Sequence, residues 1–443
     1  MRHAIRSAAI SFRSDPFLSS ADAALAYWPD ALIVIDGARI ESIGDAEPAL
    51  RDLPADVAVT RYEHSLVSAG FVDAHVHYPQ TSMIAAPGRD LLDWLERYTF
   101  PVEAQFGDID HARGVAGVFM RELLSAGTTT ASVYCTVHPQ SVDAFFEEST
   151  RWNTRMVAGK MLMDRHAPAE LLDTPERAYD ESRALIDRWH RHGRQHYAVS
   201  PRFAPTSTPA QLEVAGQLLR ETEGAYLQTH LAENLAEGAW VAQLFPDRES
   251  YLDVYAEAGL VGPRTMLGHA IHLDERDWCT CHRSGAAVAH CPTSNLFLGS
   301  GLCRMAEARR ADRPVRTAIG SDVGGGTRFS LLENLAGAYQ ISQLAGSRFT
   351  ATQAFWLATR GGAQALYLDD RIGAIEPGFD ADLVVLDLEA SPLLALRGAR
   401  CRDLEEQLFV LMTLADSRAV RATWVAGCNV YVRDREPRFM APV

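Results

Sequence analysis

Lysine is almost missing from this sequence, because Lys160 is the only lysine among its 443 residues. Arginine supplies the rest of the positive charge, and acidic residues still outnumber basic ones by 57 to 42, which gives a net charge of −15. An acidic protein is repelled by phosphate backbones, so we expect no nucleic acid partner. The shortage of lysine also restricts any chemistry that depends on a lysine side chain.

Cysteine is scarce, and long apolar runs are missing as well. The seven cysteines are scattered, and Cys279 and Cys281 have no second pair at zinc-finger spacing, so a disulfide framework is excluded and free thiols in a reducing cytosol are expected. No stretch is apolar for the ~20 residues that a membrane helix needs. Residues 1–17 contain no uninterrupted apolar core before a cleavage site. We therefore expect a cytoplasmic protein without a membrane partner.

The middle of the chain repeats one pattern, in which a short apolar run is followed by a helical stretch. The helical stretches, such as residues 112–127, have apolar residues about 3.6 positions apart and a closing glycine. The eight apolar runs are residues 65–77, 128–136, 155–163, 197–203, 225–234, 265–271, 286–295 and 315–322. This alternation predicts a (β/α)₈ TIM-type barrel of the α/β class over residues 67–370.

Both ends of the chain are typical of short strands broken by turns. Their apolar or alternating runs are residues 31–37, 38–44, 57–63, 381–387 and 419–434. We therefore predict a small β-sandwich domain built from both termini, residues 1–66 plus 371–443. A chain of 443 residues is long enough for a large barrel with such an added domain.

Metal-binding side chains follow several of the predicted barrel strands, at the ends where barrel enzymes carry their functional residues. His75 and His77 are two positions apart, so on a strand both point to the same face. His230 lies at the predicted end of the fifth strand, and Asp322 ends the eighth run. Three imidazoles and a carboxylate suit one zinc or ferrous ion and leave a position for water. Asp322 is alternatively a helix N-cap ahead of GGGTRFSLLENL (324–335).

Two further side chains at strand ends suit proton transfer beside such a metal. His269 lies near the end of the sixth run, where an imidazole can orient a water or stabilise charge on a reacting oxygen. His272 competes for this role, and we prefer His269 because it lies nearer the strand end. Glu233 lies three residues after His230, where a carboxyl can carry a proton. The alternative for Glu233 is a solvated charge at a helix start.

A third group of side chains suits a planar heterocycle. Arg202 and Phe203 close the fourth run and offer a forked donor for a carbonyl oxygen beside an aromatic ring. A salt-bridged arginine next to a core phenylalanine is the alternative. Gln80 has both a donor and an acceptor, the mixture that purine edges require. Residues 78–107 form a long connection, which we expect to act as a lid or as a purine-binding and subunit-contact segment.

Several segments resemble a known family. They are GFVDAHVHYPQ (70–80), LLDWLERYTFPVEAQF (91–106), SPRF (200–203), THLAEN (229–234), HCPTSNLFLGSG (290–301) and IGSDVGGGTRFSLLENL (319–335). Together they resemble the guanine deaminases of the amidohydrolase superfamily. GFVDAHVH and GFDADLVVL (378–386) are shared more widely by amidohydrolases.

The resemblance implies a homodimeric zinc enzyme of purine catabolism, which hydrolyses guanine to xanthine and ammonia with a zinc-activated water. The implied zinc ligands are His75, His77, His230 and Asp322. The implied catalytic residues are Glu233 as the proton shuttle, His269 and Asp322. The implied contacts to the small-molecule purine substrate are Gln80, Arg202 and Phe203.

We expect one metal ion per chain, with Fe²⁺ as the alternative to Zn²⁺. A binuclear site of this superfamily uses a carbamylated lysine on the fourth strand, but the fourth run here ends in Arg202 and Phe203 and has no lysine, and Lys160 lies on the third. Two other functions stay open: an aminohydrolase for 8-oxoguanine, a pterin or a triazine, and a non-catalytic amidohydrolase-like scaffold. A deaminase of the cytidine type is excluded, because its paired H-x-E and P-C-x-x-C motifs do not occur together here.

Overall fold

The computed structural model describes residues 2–433, in which helices alternate with parallel strands through the middle of the chain. The strands are β1 Arg2–Phe12, β2 Leu25–Asp36, β3 Arg39–Asp45, β4 Ala58–Ala69, β5 Phe71–His77, β6 Thr128–Tyr134, β7 Arg155–Gly159, β8 Met161–Leu162, β9 His196–Pro201, β10 Tyr226–Leu231, β11 Thr265–His269, β12 Ala287–His290, β13 Arg316–Ile319, β14 Leu383–Asp387, β15 Val420–Val425 and β16 Cys428–Val432. The α-helices are α1 Ala21–Ala24, α2 Ala46–Asp52, α3 Leu91–Trp94, α4 Phe100–Glu103, α5 Ile109–Ser125, α6 Pro139–Trp152, α7 Pro175–Trp189, α8 Pro209–Glu221, α9 Leu235–Leu244, α10 Tyr251–Glu257, α11 Glu275–Ser284, α12 Pro292–Phe297, α13 Met305–Ala308, α14 Leu331–Leu344, α15 Ala351–Leu357, α16 Arg360–Ala365, α17 Pro392–Gly398 and α18 Leu404–Leu414.

A parallel barrel forms the centre of the molecule, with the strand order β5-β6-β7-β9-β10-β11-β12-β13. Each of the predicted apolar runs overlaps one of these strands, which confirms the α/β barrel fold. All residues of β5 and β6 are buried, as in barrels whose strands are covered on both faces. Near the closing strands the Asp322 backbone N–H donates to the His75 carbonyl at 2.8 Å, so β5 and the end of β13 meet.

The other sheet contains strands from both ends of the chain, in the order β16-β15-β14-β4-β1-β2-β3. His3 on β1 stacks on Trp424 on β15 with ring centroids 5.0 Å apart, although β14 and β4 lie between these strands in the sheet. The two outer hairpins also meet, since a Cβ added to Gly427 would lie 2.1 Å from the Gly37 carbonyl oxygen. The sheet therefore folds over on itself. The boundaries 1–66 plus 371–443 and 67–370 stay a prediction, and residues 434–443 lie outside the described part.

The seven cysteines are free thiols, as their number and spacing predicted. Among residues 2–433, no helix combines the length and apolar character that crossing a membrane requires.

A buried ion cluster joins the second sheet to the barrel at the amino-terminal ends of its strands. Asp380 precedes β14, and its carboxylate accepts from Arg155 at 2.6 Å and Arg194 at 2.9 Å and pairs with Arg39 at 2.6 Å. Arg194 also pairs with Asp382. Although burial opposes ionisation, the Arg194 and Arg155 guanidiniums hold the pKa of Asp380 below its usual value. The GFDADLVVL motif thus supplies the acidic half of this joint.

Replacing Asp380 by alanine should lower the free energy of unfolding by about 3–5 kcal/mol, because it leaves the buried Arg155 guanidinium without its carboxylate partner and removes one of the two carboxylates that pair with Arg194. The Tm in differential scanning calorimetry measures the effect. Asp370→Ala is the matched control, since the Asp370 side chain is 72% exposed and its loss should change stability by less than about 0.5 kcal/mol. Equal Tm values for the two variants would contradict the structural role of Asp380.

Candidate active site

Four candidate metal ligands meet at the carboxyl ends of the barrel strands. One ligand atom from each of His75, His77, His230 and Asp322 lies within 4.8 Å of the other three. Nε2 of His77 is 3.1 Å from Nε2 of His230, and Asp322 Oδ1 is 3.3 Å from His75 Nε2 and 3.4 Å from His77 Nε2. Residues from three different strand ends therefore surround one point, and their role as metal ligands stays a prediction.

The backbone around this point is arranged to hold the ligands close together. Asp73 accepts from the backbone N–H of Ser321 at 3.0 Å and from that of His75 at 3.2 Å, which fixes the ends of β5 and β13 to each other. His269 and Asp322 have φ of 66° and 49°, a left-handed conformation that L-residues avoid and that clusters at functional sites. Gly268 gives His75 its space, since a Cβ there would lie 2.5 Å from the imidazole.

The donor set fits a divalent transition metal. Both ring nitrogens of His75 and Nδ1 of His77 are buried without a hydrogen-bond partner among the described residues. Burial and the neighbouring imidazoles lower the pKa values of His77 and His230 well below 6.5, so these ligands are neutral, as metal binding requires. Burial opposes ionisation of Asp322, but its contact with His75 lowers the pKa of Asp322 to about 2. Neutral imidazoles beside a carboxylate are the ligands that zinc and ferrous iron take.

His230 is held by the strand beside it. Its Nδ1 lies 2.7 Å from the carbonyl oxygen of Arg202, so Nδ1 carries the proton and donates. Nε2 is then the unprotonated nitrogen and faces the cluster, an arrangement common for metal-binding histidines.

Glu233 and His269 form a second pair beside the ligands. His269 Nε2 is 3.4 Å from Glu233 Oε2 and 3.8 Å from Asp322 Oδ2. Burial raises the pKa of Glu233. The pKa of His269 is also raised, because the charges of Glu233 and Asp322 outweigh the effect of burial. The raised pKa of Glu233 favours its protonated form, and the raised pKa of His269 favours its cationic form.

Three residues hold this pair in place, and the sequence did not single them out. Ser300 Oγ donates to Glu233 Oε1 at 2.9 Å, and Asn295 Oδ1 is 3.0 Å from His269 Nδ1. Glu237 accepts from the backbone N–H of Glu233 at 2.9 Å and from Tyr251 Oη at 2.7 Å. The spacing of Asn234 and Glu237, which form a capping box at the start of α9, is the signal that could have indicated Glu237.

A cavity opens over the cluster, and the three predicted purine contacts line it. Its polar wall contains Gln80 and Arg202 and its apolar wall contains Phe203. The other lining residues are His77, Leu91, Trp94, Leu95, His230, Glu233, His269, Leu298 and Asp322. An apolar cavity with a few converging polar groups is the usual form of a small-molecule site.

The segment 78–107 supplies much of this cavity. It contains short helices and a π-helical turn at Leu95–Thr99, and it contributes Gln80, Leu91, Trp94 and Leu95 to the lining. Trp94 is buried, and its Nε1–H has no hydrogen-bond partner among the described residues. The segment therefore bounds the ligand cavity, one of the roles expected of it.

The structure also decides between several alternatives. Asp322 does not cap a helix, because α14 begins at Leu331 after Ser330, and Glu233 is 3% exposed and not a solvated charge. His272 is exposed and contacts the Ser300 carbonyl at 2.9 Å, so His269 is the histidine beside the ligands. Arg202 is both salt-bridged and cavity-lining, so its two predicted roles coexist.

Lys160 is buried in a different environment. Lys160 lies between β7 and β8. It pairs with Asp173, which precedes α7, and lies 3.2 Å from Glu181 in the middle of α7. Its charge is thus neutralised within the wall of the barrel.

Comparison with known proteins agrees with this geometry. The amidohydrolase family model matches residues 66–430. A guanine deaminase of Escherichia coli (strain K12) is 46% identical over 411 residues, which cover 93% of this chain and 93% of that protein. The solved structure of the E. coli guanine deaminase aligns with a TM-score of 0.95 at 44% identity, covering 98% of this chain and 100% of that one. A guanine deaminase from C. acetobutylicum, solved with guanine bound in its active site, aligns with a TM-score of 0.86 at 25% identity over 97% of this chain and 100% of its own. The chain therefore belongs to the amidohydrolase family and, within it, to the guanine deaminases.

Proposed function

We propose that this protein hydrolyses guanine to xanthine and ammonia, with Zn²⁺ bound by His75, His77, His230 and Asp322. One observation carries the proposal: the ligand cluster, the Glu233–His269 pair and the Arg202–Gln80 pair line one cavity. A metal bound there would supply Lewis acidity that lowers the pKa of a bound water to ~7. The guanine bound to the C. acetobutylicum relative supports the same ligand class.

The side chains of this protein divide the reaction between them. Asp322 is ionised and takes a proton from the attacking water. The water oxygen adds to C2 of guanine while the Glu233 carboxyl gives its proton to N3. His269 donates a hydrogen bond to the water oxygen as it adds to C2 and orients it for attack, while the electron pair that moves to N3 is neutralised by the Glu233 proton.

The second half of the reaction returns the proton. The proton held by Asp322 moves to the 2-amino group, the C2–N bond breaks, and ammonia leaves. Glu233 recovers its proton from N3, and the product rearranges to xanthine. Guanine and water are thus converted to xanthine and ammonia, with no net change in the enzyme.

Ammonia release from a panel of heterocycles tests the proposed function. The panel contains guanine, 8-oxoguanine, a pterin and an aminotriazine, and guanine should have the highest kcat/KM. Metal content of the purified enzyme, measured by inductively coupled plasma mass spectrometry, should be about one zinc per chain. A higher kcat/KM for another heterocycle of the panel would assign the enzyme to that substrate. Absence of ammonia release from all four compounds would contradict the proposed function.

Three further predictions complete the proposal: a role in purine catabolism, a cytoplasmic location and a homodimer. The resemblance to guanine deaminases supports all of them. Light scattering on the eluting protein tests the oligomer, and a mass near twice 48.7 kDa is expected.

A further inference from the structure

Glu103 is a buried carboxylate behind the cavity wall, and it contacts both polar residues of that wall. It is the last residue of α4 and is 0% exposed. Its Oε1 accepts from Gln80 Nε2 at 2.9 Å, and its Oε2 accepts from Arg202 Nη1 at 2.6 Å. Glu103 itself does not line the cavity. One side chain outside the cavity thus holds two side chains that face a ligand.

This contact decides which end of the Gln80 amide faces the ligand. A carboxylate can only accept hydrogen bonds, so the Gln80 NH₂ group must point toward Glu103. The other end of the amide is then the Gln80 Oε1 atom, which is free to accept a hydrogen bond. This atom is buried and has no hydrogen-bond partner among the described residues. A buried carbonyl oxygen without a donor costs free energy until a ligand supplies one. Gln80 therefore offers an acceptor to the ligand.

Arg202 offers the opposite polarity. A guanidinium can only donate, and Nη1 is directed to Glu103 and toward Met161 Sδ at 3.1 Å. The group also lies over the Phe100 ring, 5.5 Å from its centroid. The salt bridge to Glu103 and the contact with the Phe100 ring fix the plane of the Arg202 guanidinium group, and Arg202 also lines the cavity. A fixed donor and a fixed acceptor thus stand side by side.

We propose that Glu103 is a positioning residue that sets substrate selectivity. By fixing Arg202 as donor and Gln80 as acceptor, it matches a ring that carries a keto oxygen beside an N–H, which is the O6 and N1–H edge of guanine. The same pair opposes a ring with an amino group beside a bare nitrogen, the edge of 2,6-diaminopurine. Sites built on fixed hydrogen-bond polarity reject the mismatched analogue strongly, because buried groups are left unpaired. The inference rests on the proposed function.

Glu103→Gln tests this role. A carboxamide at position 103 can donate as well as accept hydrogen bonds, so the Gln80 amide can rotate by 180° and present its NH₂ group to the ligand. We expect the ratio of kcat/KM for guanine to that for 2,6-diaminopurine to fall at least ~10-fold, with most of the loss for guanine in KM. Glu96→Gln is the control, because Glu96 lies on the same segment and is exposed. That variant should keep the ratio of the unaltered enzyme.

An exchange variant separates positioning from simple structural support. In Glu103→Gln combined with Gln80→Glu, the carboxylate at position 80 offers an acceptor to the ligand while the carboxamide at position 103 donates to it. The preference for guanine should then recover. If Glu103 only stabilised the fold, Glu103→Gln would reduce turnover of both substrates equally and the exchange would restore nothing. An unchanged ratio in Glu103→Gln, or a folded exchange variant without the guanine preference, overturns the inference.

The last comparison uses the unaltered enzyme with the same two substrates. This enzyme must prefer guanine to 2,6-diaminopurine, and equal kcat/KM values would overturn the inference even if neither variant folds. Absence of any ammonia release from guanine would instead contradict the proposed function. The two failures are therefore distinguishable.

Discussion

Replacing Glu233 by glutamine should reduce kcat for guanine by ~10²–10⁴-fold, the contribution of a general acid–base residue, while the protein keeps its metal. The Glu233 carboxyl is buried, accepts from Ser300 Oγ and lies 3.4 Å from His269 Nε2. Glutamine has nearly the same shape, but its amide cannot release a proton to the ring nitrogen. Steady-state kinetics and metal analysis on the same sample measure both outcomes.

The matched control for Glu233→Gln is Glu249→Gln. The Glu249 side chain is 64% exposed, pairs with Arg276 and does not line the cavity. Its loss should leave kcat unchanged. Near-normal turnover of Glu233→Gln would contradict the proton-shuttle role, and loss of its metal would show that the carboxyl acts on the ligand cluster instead.

Replacing His230 by alanine should remove metal binding and, with it, activity. His230 Nε2 is 3.1 Å from His77 Nε2, and its ring is held by the Arg202 carbonyl, so the variant loses an oriented ligand. The affinity for zinc should fall by more than the ~10–100-fold that loss of an outer partner costs. Competition with a chromophoric chelator measures this affinity.

Two controls accompany the His230 variant. His64→Ala removes a histidine that is 68% exposed and should leave the affinity for zinc unchanged. Chelator-treated unaltered enzyme should regain activity when zinc is returned, whereas His230→Ala should not. Full activity of His230→Ala with one bound zinc would contradict the ligand assignment.

The sequence could predict the barrel and the location of the candidate ligands, because both follow from local patterns. Residues two apart on a strand share a face, so His75 and His77 point together wherever β5 lies. Equivalent ends of parallel strands meet at one rim, which brings His230 and Asp322 to them. The choice between His269 and His272 rested on distance from the strand end, and β11 ends at His269.

The supporting residues could not be predicted, because their positions depend on contacts between distant segments. Glu103 reaches Arg202, 99 residues away, only because the segment after β5 folds back through a π-helical turn. Asp380 meets Arg155 across 225 residues, where the second sheet joins the barrel. No periodicity or spacing in the sequence encodes either contact.

The most direct test of the account is a crystal structure of the purified enzyme, with anomalous diffraction recorded at the zinc absorption edge. We expect a single anomalous peak bounded by the imidazoles of His75, His77 and His230 and a carboxylate oxygen of Asp322, at ~2.0–2.2 Å from each. A peak elsewhere, a second peak of equal height, or side chains too far apart to share one ion would contradict it.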